Sequence, residues 1–266
     1  MLTGYIVSGL LVGFLVGLTG VGGGSLMTPL LVFLFGFAPK TAVGTDLLFA
    51  SITKGVGVFV HHGKHRSVEW KIVMQLSLGS IPAAMVVIYL LENVIKKDES
   101  VTALISMTLG VALILTSVSL FVRNRLIAAR QQSHESAVQR ITHTERFGRW
   151  QTPITVFTGL VLGVLVTLSS VGAGALGTVA LFFLYPRLAT VRIVGTDLAH
   201  AIPLTAVAGL GHLHMGNVDF NLLGSLLIGS LPGIYLGSHL SAKIPEKILR
   251  PILATLLLLI GIKFVL

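Results

Sequence analysis

The stretch from Leu10 to Thr28 recurs at Leu160 to Thr178. The offset is a constant 150, and ten of the nineteen places are identical, among them Gly13/Gly163, Gly22/Gly172, Gly24/Gly174 and Thr28/Thr178. A chain that repeats itself in this way is a duplication and has to fold as two like halves. In each copy an apolar run is interrupted by small and hydroxylic residues. The first break is Thr19-Gly20-Val21-Gly22-Gly23-Gly24-Ser25 and the second is Ser169-Ser170-Val171-Gly172-Ala173-Gly174. The likeness continues beyond them. Val43-Gly44-Thr45-Asp46-Leu47 matches Val194-Gly195-Thr196-Asp197-Leu198, Val68-Glu69-Trp70 matches Val218-Asp219-Phe220, and Gly79-Ser80-Ile81-Pro82 matches Gly229-Ser230-Leu231-Pro232.

The medium for these halves is lipid. Hydrophobic residues make up 53% of the chain and charged residues 11%, with a mean hydropathy of +0.91, against roughly 25% charge in a soluble domain. Uncharged runs at Ile72 to Leu91, Val101 to Val122 and Phe220 to Ala242 each approach the roughly 20 residues that an apolar helix needs to cross a bilayer. The expected fold is an all-α integral membrane protein. The N-terminal run begins without Lys or Arg and contains the duplicated motif, so it is expected to be mature structure rather than a cleaved signal. The net charge of +9 is spread over short loops and one connector with no nucleic-acid recognition module, so nucleic acid is not expected as a partner. The absence of cysteine excludes disulfides and thiolate metal sites.

Each half holds a broken run (Gly4 to Phe35; Ile154 to Leu184), a second apolar segment (about Thr41 to Val60; about Val191 to Leu210), and then a third and a fourth. Residues 1–122 form the first membrane repeat and 152–266 the second. Between them residues 123–151 carry six Arg among Gln, Ser, His and Glu, which reads as a cytoplasmic connector. A broken run of about 32 residues would be near 50 Å as one helix, too long for a roughly 30 Å core, yet two crossings need about 40 residues. A re-entrant hairpin turning at the glycines fits better. It leaves three crossings per repeat and inverts the second repeat against the first. With the connector inside, inversion puts fourteen Lys and Arg inside and four outside, whereas parallel repeats would give ten and eight. Because cytoplasmic loops collect positive charge, the expectation is two inverted repeats with both termini outside.

Paired, glycine-interrupted segments in inverted halves point to a secondary transporter with its site between the repeats. A helix that starts at such a break offers unpaired N–H groups and the positive end of its dipole to an anion. The substrate-binding candidates are Thr19, Gly20, Gly22, Gly23, Gly24 and Ser25, with Ser169, Ser170, Gly172 and Gly174. The competing reading is close helix packing by small residues. Asp46, Lys54, Asp197 and His200 are the coupling or gating candidates, since ionisable groups in lipid are expensive and must face protein, water or a partner. For the two aspartates a helix N-cap is the alternative. For Lys54 the alternatives are attraction of the anion and pairing with a carboxylate, and for His200 a proton relay and a satisfied buried ring. His61, His62, His65, His212 and His214 read as interfacial histidines rather than a metal site, and neither a cofactor nor a resident metal is expected. Pro82, Pro203 and Pro232 permit kinks. No nucleophile, base and orienter stand together, so the chain is not expected to be an enzyme.

These residues together resemble the TauE/SafE-type sulfite exporter family, also called the toluene sulfonate uptake permease family, over nearly the whole chain. The resemblance is carried by Gly20 to Ser25 with Pro29, by Ala42-Val43-Gly44-Thr45, by His65 to Trp70 leading to Gly79-Ser80-Ile81-Pro82, and by His214 to Phe220 followed by Leu231-Pro232-Gly233. The second break departs from the family's glycine-rich form at Ala173 and Ala175 and has no proline opposite Pro29. The resemblance implies a multi-pass permease of a prokaryotic-type inner membrane. Its substrate would be a small sulfur-containing anion such as sulfite, thiosulfate or sulfoacetate, with a coupling proton or cation. Two other readings stay open, a channel or carrier for another small anion or metabolite, and a membrane sensor or scaffold acting through the connector. Oligomeric state is not legible.

Overall fold

The computed structural model describes residues 2–19, 24–62, 68–93, 98–133, 148, 150–240 and 246–265. Among them there are ten helices and no strand. The helices are α1 (Leu2–Thr19), α2 (Gly24–Phe35), α3 (Pro39–His62), α4 (Trp70–Asn93), α5 (Asp98–Ser133), α6 (Gln151–Ser169), α7 (Leu176–Leu184), α8 (Thr190–His214), α9 (Phe220–Leu240) and α10 (Glu246–Val265). Among the described residues five stretches are long and apolar enough to cross a membrane: Trp70–Asn93, Glu99–Arg123, Gln151–Ser169, Thr190–His214 and Phe220–Gly237. The chain is a multi-pass, all-helical membrane protein. Its perimeter carries Met74, Leu78, Tyr89, Phe157, Phe183 and Leu259, all exposed, as a lipid-facing wall requires.

Lipid tails are as apolar as leucine, so burial of apolar area does little to hold such helices together and close packing has to. The closest seams exchange elements between the halves. In α1 against α9, a side chain at Gly9 or Gly13 would run into the backbone of Leu226 or Ser230, and one at Gly233 or Gly237 into the backbone of Leu10 or Phe14. The seam of α4 against α6 is built alike, with Gly79 against Val156 and Gly159 against Leu76. In both seams residue numbers rise together, so the partners run parallel. The other cross-half pairs run antiparallel. In α3 and α8, Gly44 faces His212 while Gly209 faces Leu48, and in α5 and α10, Gly110 faces Gly261 while Ser117 Oγ donates to Ala254 O at 2.7 Å.

The outer ends of each broken run touch. Gln151 Nε2, opening α6, donates to Leu184 O at the end of α7 at 2.8 Å, and the hydroxyls of Thr155 and Tyr185 meet at 2.8 Å. Burial pushes the Tyr185 phenol above its ordinary pKa against the opposing effect of that hydrogen bond. In the first half the Tyr5 ring meets Phe35 edge to face at 4.9 Å between centroids. The arms are unequal. α6, with 19 residues, has the length of a span, while α7 has nine.

The core surrounds the second break. Val43, Leu47, Ala84, Val87, Ile105, Leu204 and Ala208 pack around Val166, Leu168 and Ala173. Leu109, Leu113, Ala254 and Leu257 close over Val171 and Ala175. Arg123, grouped by composition with the connector, lies in α5 at 3% exposure.

Candidate functional site

The second break is a left-handed turn followed by a loose descent. Ser170 caps the end of α6 at φ 58°, its N–H bonded to Val166 O at 2.7 Å. Gly172 and Gly174 follow at φ 113° and 121°, values that L side chains rarely adopt, so glycine at these two places is a requirement of the path. Ser169 braces the turn by accepting Val171 N–H at 3.1 Å and donating to Leu165 O at 2.6 Å. Ser169 and Ser170 are both buried.

Side chains from the other half reach into this loop. Lys54, 4% exposed on α3, donates from Nζ to Ala173 O at 3.1 Å, and Ser119 of α5 donates to Ala175 O at 2.9 Å. Of the two alternatives for Lys54, carboxylate pairing is not what forms directly. Its hydrogen bond goes to a backbone oxygen, although its charge is within reach of both Asp46 and Asp197. A buried ammonium needs such partners, since an isolated one would be prohibitively costly.

Asp46 and Asp197 occupy equivalent places, each the eighth residue of its helix. That position lies beyond the first turn, where capping groups act, so the N-cap alternative is corrected. Each carboxylate instead takes a hydroxyl from the helix that precedes its own, α2 or α7. Thr28 donates to Asp46 Oδ2 at 2.5 Å and Thr178 to Asp197 Oδ2 at 2.7 Å. Thr178 shares its hydroxyl with Gly174 O, at 2.5 Å. Asp197 also presses on Gly177 so closely that a methyl group there would collide with Oδ1. The Oδ1 atoms of both aspartates are buried and without a hydrogen-bond partner.

The surroundings of the two aspartates differ. Asp197 feels the positive charges of Lys54 and Arg123. Asp46 feels Lys54 alone, beside the Ser170 hydroxyl at the end of α6. Ser170 Oγ forms no hydrogen bond of ordinary geometry. His200 is fully buried, its Nε2 2.9 Å from Ser80 Oγ and its Nδ1 unpartnered.

Of the candidates in the first break, Gly20, Gly22 and Gly23 lie outside the described residues, as do the side chains of Thr19 and Ser25, although Thr19 closes α1 and Gly24 and Ser25 open α2. His65 and the side chains of His61 and His62 are also outside. The interfacial reading fails for His212. It is fully buried, with Nε2 2.9 Å from Thr167 O, because Gly44 gives it room against α3. His214 is exposed and pairs with Glu92 at 3.3 Å. No group of three or more His, Cys, Asp or Glu is placed to hold a metal among the described residues.

The threonines of the two Gly-Thr-Asp motifs act across the halves, which the sequence pattern did not indicate. Thr45 Oγ1 accepts the N–H of Asp219 at 3.1 Å, and Thr196 Oγ1 accepts that of Glu69 at 3.0 Å. Each half therefore caps the other half's third long helix.

A family model described as Sulfite exporter TauE/SafE matches residues 5–264. Among curated proteins, the chain is 39% identical over 98% of both sequences to "Probable membrane transporter protein YjnA" of Bacillus subtilis. It is also 25% identical to "Probable membrane transporter protein YdhB" of the same organism, over 94% of this chain and 96% of that one. A further protein named as a probable membrane transporter, from Methanocaldococcus jannaschii, is 27% identical over 97% of this chain and 92% of its own. No solved structure matches the chain.

Proposed function

The chain belongs to the sulfite exporter TauE/SafE family and is a membrane transporter, and from that premise we propose that it carries a small sulfur-containing anion, sulfite, thiosulfate or an organosulfonate such as sulfoacetate, between its two glycine-rich breaks. The observation that carries this reading is Lys54. A buried ammonium from one half rests on the unwound backbone of the other, at Ala173 O, just ahead of the N-terminus of α7. Positive charge, a helix N-terminus and hydroxyls at one place suit an oxyanion. In this reading Ser169, Ser170, Gly172 and Gly174 line the anion's seat from the second half, and Thr19, Gly20, Gly22, Gly23, Gly24 and Ser25 from the first. Asp46, Asp197 and His200 serve coupling or gating.

The proposal includes two inverted repeats, each a re-entrant hairpin and three crossings. It is supported by the hairpins' joined ends and by the antiparallel course of the equivalent pairs α3 with α8 and α5 with α10. Two side-chain contacts between the halves agree with it. Arg192 meets Glu69 at 2.8 Å and His214 meets Glu92 at 3.3 Å, whereas parallel repeats would put the two members of each contact on opposite faces. Inversion makes two mirrored states of similar energy natural, which is the physical basis of alternating access. The setting is a prokaryotic-type inner membrane, with the connector in the cytoplasm and the termini outside.

The test is uptake of labelled sulfite, thiosulfate and sulfoacetate into proteoliposomes of the purified chain, with and without ion gradients. Saturable uptake of at least one, changed by a gradient, is expected. No flux of any of them above protein-free liposomes would sink the reading.

A further inference from the structure

Each half of the molecule is threaded through the other. Gly9 and Gly13 of α1 lie against the backbone of Leu226 and Ser230 in α9, and Gly159 and Gly163 of α6 against that of Leu76 and Ser80 in α4. Rocking one sequence half against the other would tear both seams at once. Interfaces packed this closely have discrete arrangements and do not deform smoothly.

Polar bonds between the halves follow the same lines. On α8, Thr196 Oγ1 accepts the N–H of Glu69 at 3.0 Å, Arg192 meets the Glu69 carboxylate at 2.8 Å, and His200 Nε2 stands 2.9 Å from Ser80 Oγ. Gln75 of α4 donates to Thr152 Oγ1 of α6 at 3.1 Å. The first half's α4 is thereby bound to α6 and α8 of the second. In the mirror arrangement α9 is bound to α1 and α3, where Thr45 Oγ1 accepts the N–H of Asp219 at 3.1 Å and a side chain at Gly44 would strike Asn217 O. The residue after each of these threonines holds the preceding helix, Asp46 through Thr28 of α2 and Asp197 through Thr178 of α7. Each Gly-Thr-Asp motif is thus a hub that joins a short helix of its own half to a long helix of the other.

Contact between these two groups of helices is of another kind. Across α3 and α8 the Leu48 side chain fills the space at Gly209, and the Ser51 hydroxyl reaches Ile202 O only at 3.5 Å. Lys54 Nζ bonds Ala173 O across the same divide, so the anion's seat in the reading above lies between the groups. In the second half the chain passes from one group to the other through residues 215–219, with Gly216 at φ 73°. Short loops of this kind are where hinge motion is absorbed.

We propose that the units that move in transport are two exchanged bodies, α1, α2 and α3 with α9, and α6, α7 and α8 with α4, each held together at its Gly-Thr-Asp motif, with the paired helices α5 and α10 outside both. The two bodies correspond to one another under the duplication, as alternating access requires. The inference rests on the alternating-access reading above, but its measurement uses no anion and stands or falls apart from the choice of substrate.

The experiment is pulsed dipolar spectroscopy of spin labels on pairs of introduced cysteines in the full chain, which has none of its own, in detergent and in liposomes. Val191, Met85 and Leu236 are exposed on α8, α4 and α9. Val191→Cys with Met85→Cys spans the two halves within one body and is expected to give a single narrow distance. Val191→Cys with Leu236→Cys lies within one half but spans the bodies, and is expected to give two populated distances. Thr196→Val, which removes the acceptor of the Glu69 N–H, should broaden the first distribution, and Thr196→Ser should restore it. Where Thr196→Val does not fold, the two labelled pairs alone decide. The reverse pattern, a variable Val191–Met85 distance and a fixed Val191–Leu236 distance, would make the sequence halves the moving units and overturn the proposal. Variation in both pairs, or one fixed distance in each, would overturn it as well, and an unchanged first distribution in folded Thr196→Val would overturn the motif's part in it.

Discussion

Two hydroxyl–carboxylate links, Thr28 with Asp46 and Thr178 with Asp197, tie each short arm to the long helix that follows it. Removing the donor leaves a buried carboxylate oxygen unpaired, which costs about 1–3 kcal/mol. Thr178→Val is therefore expected to lower thermal stability in detergent, and Thr178→Ser, which keeps the hydroxyl, to restore most of it. Equal losses in both variants would point to side-chain packing instead. Both threonines were visible as identities of the duplicated stretch, and both aspartates as charges within apolar segments. Their pairing was not, because 18 and 19 residues separate them through a turn whose path no local pattern specifies. Lys54 was legible as a misplaced charge, yet its partner Ala173 O lies 119 residues away and offers a carbonyl that any residue would carry. His212 was misread because its apolar segment was expected to end near Leu210, whereas α8 runs on to His214, and Gly44, which makes room for it, lies in the other half.

At the scale of helices, glycine seams take the place of a hydrophobic driving force. A side chain at Gly79 would strike the backbone oxygen of Val156, and one at Gly229 that of Ile6. Backbone in a packed seam has little freedom to retreat. Gly79→Val and Gly229→Val are each expected to cost about 1–3 kcal/mol or more, read as a fall in thermal stability and in the yield of monodisperse protein. Gly224 has nothing within 4 Å of a built Cβ, so Gly224→Ala should be neutral or slightly stabilising. A large loss at Gly224 together with tolerance at Gly79 would refute this view of the seams. The existence and order of the long helices followed from uncharged length, and the breaks from their glycines. The unequal arms did not. A six-residue descent replaces most of a helix between Ser169 and Leu176, and that depends on braces from Lys54 and Ser119 on other elements.

For the molecule as a whole, topology is the part of the proposal that charge counting and contacts support together. The chain has no cysteine, so single introduced thiols report sidedness without background. Gly148→Cys, exposed in the connector, should react with an impermeant maleimide only from the cytoplasmic face, and His214→Cys, exposed at the end of α8, only from the outer face. Labelling of both from the same side would contradict inverted repeats. The central claim, that an oxyanion passes the break where Lys54 meets Ala173 O, is tested most directly by counterflow. Proteoliposomes loaded with unlabelled sulfite should transiently accumulate labelled sulfite from outside, and Lys54→Met should cut the initial rate at least about tenfold, equivalent to about 1.4 kcal/mol of transition-state stabilisation. Counterflow undiminished in folded Lys54→Met protein would contradict it.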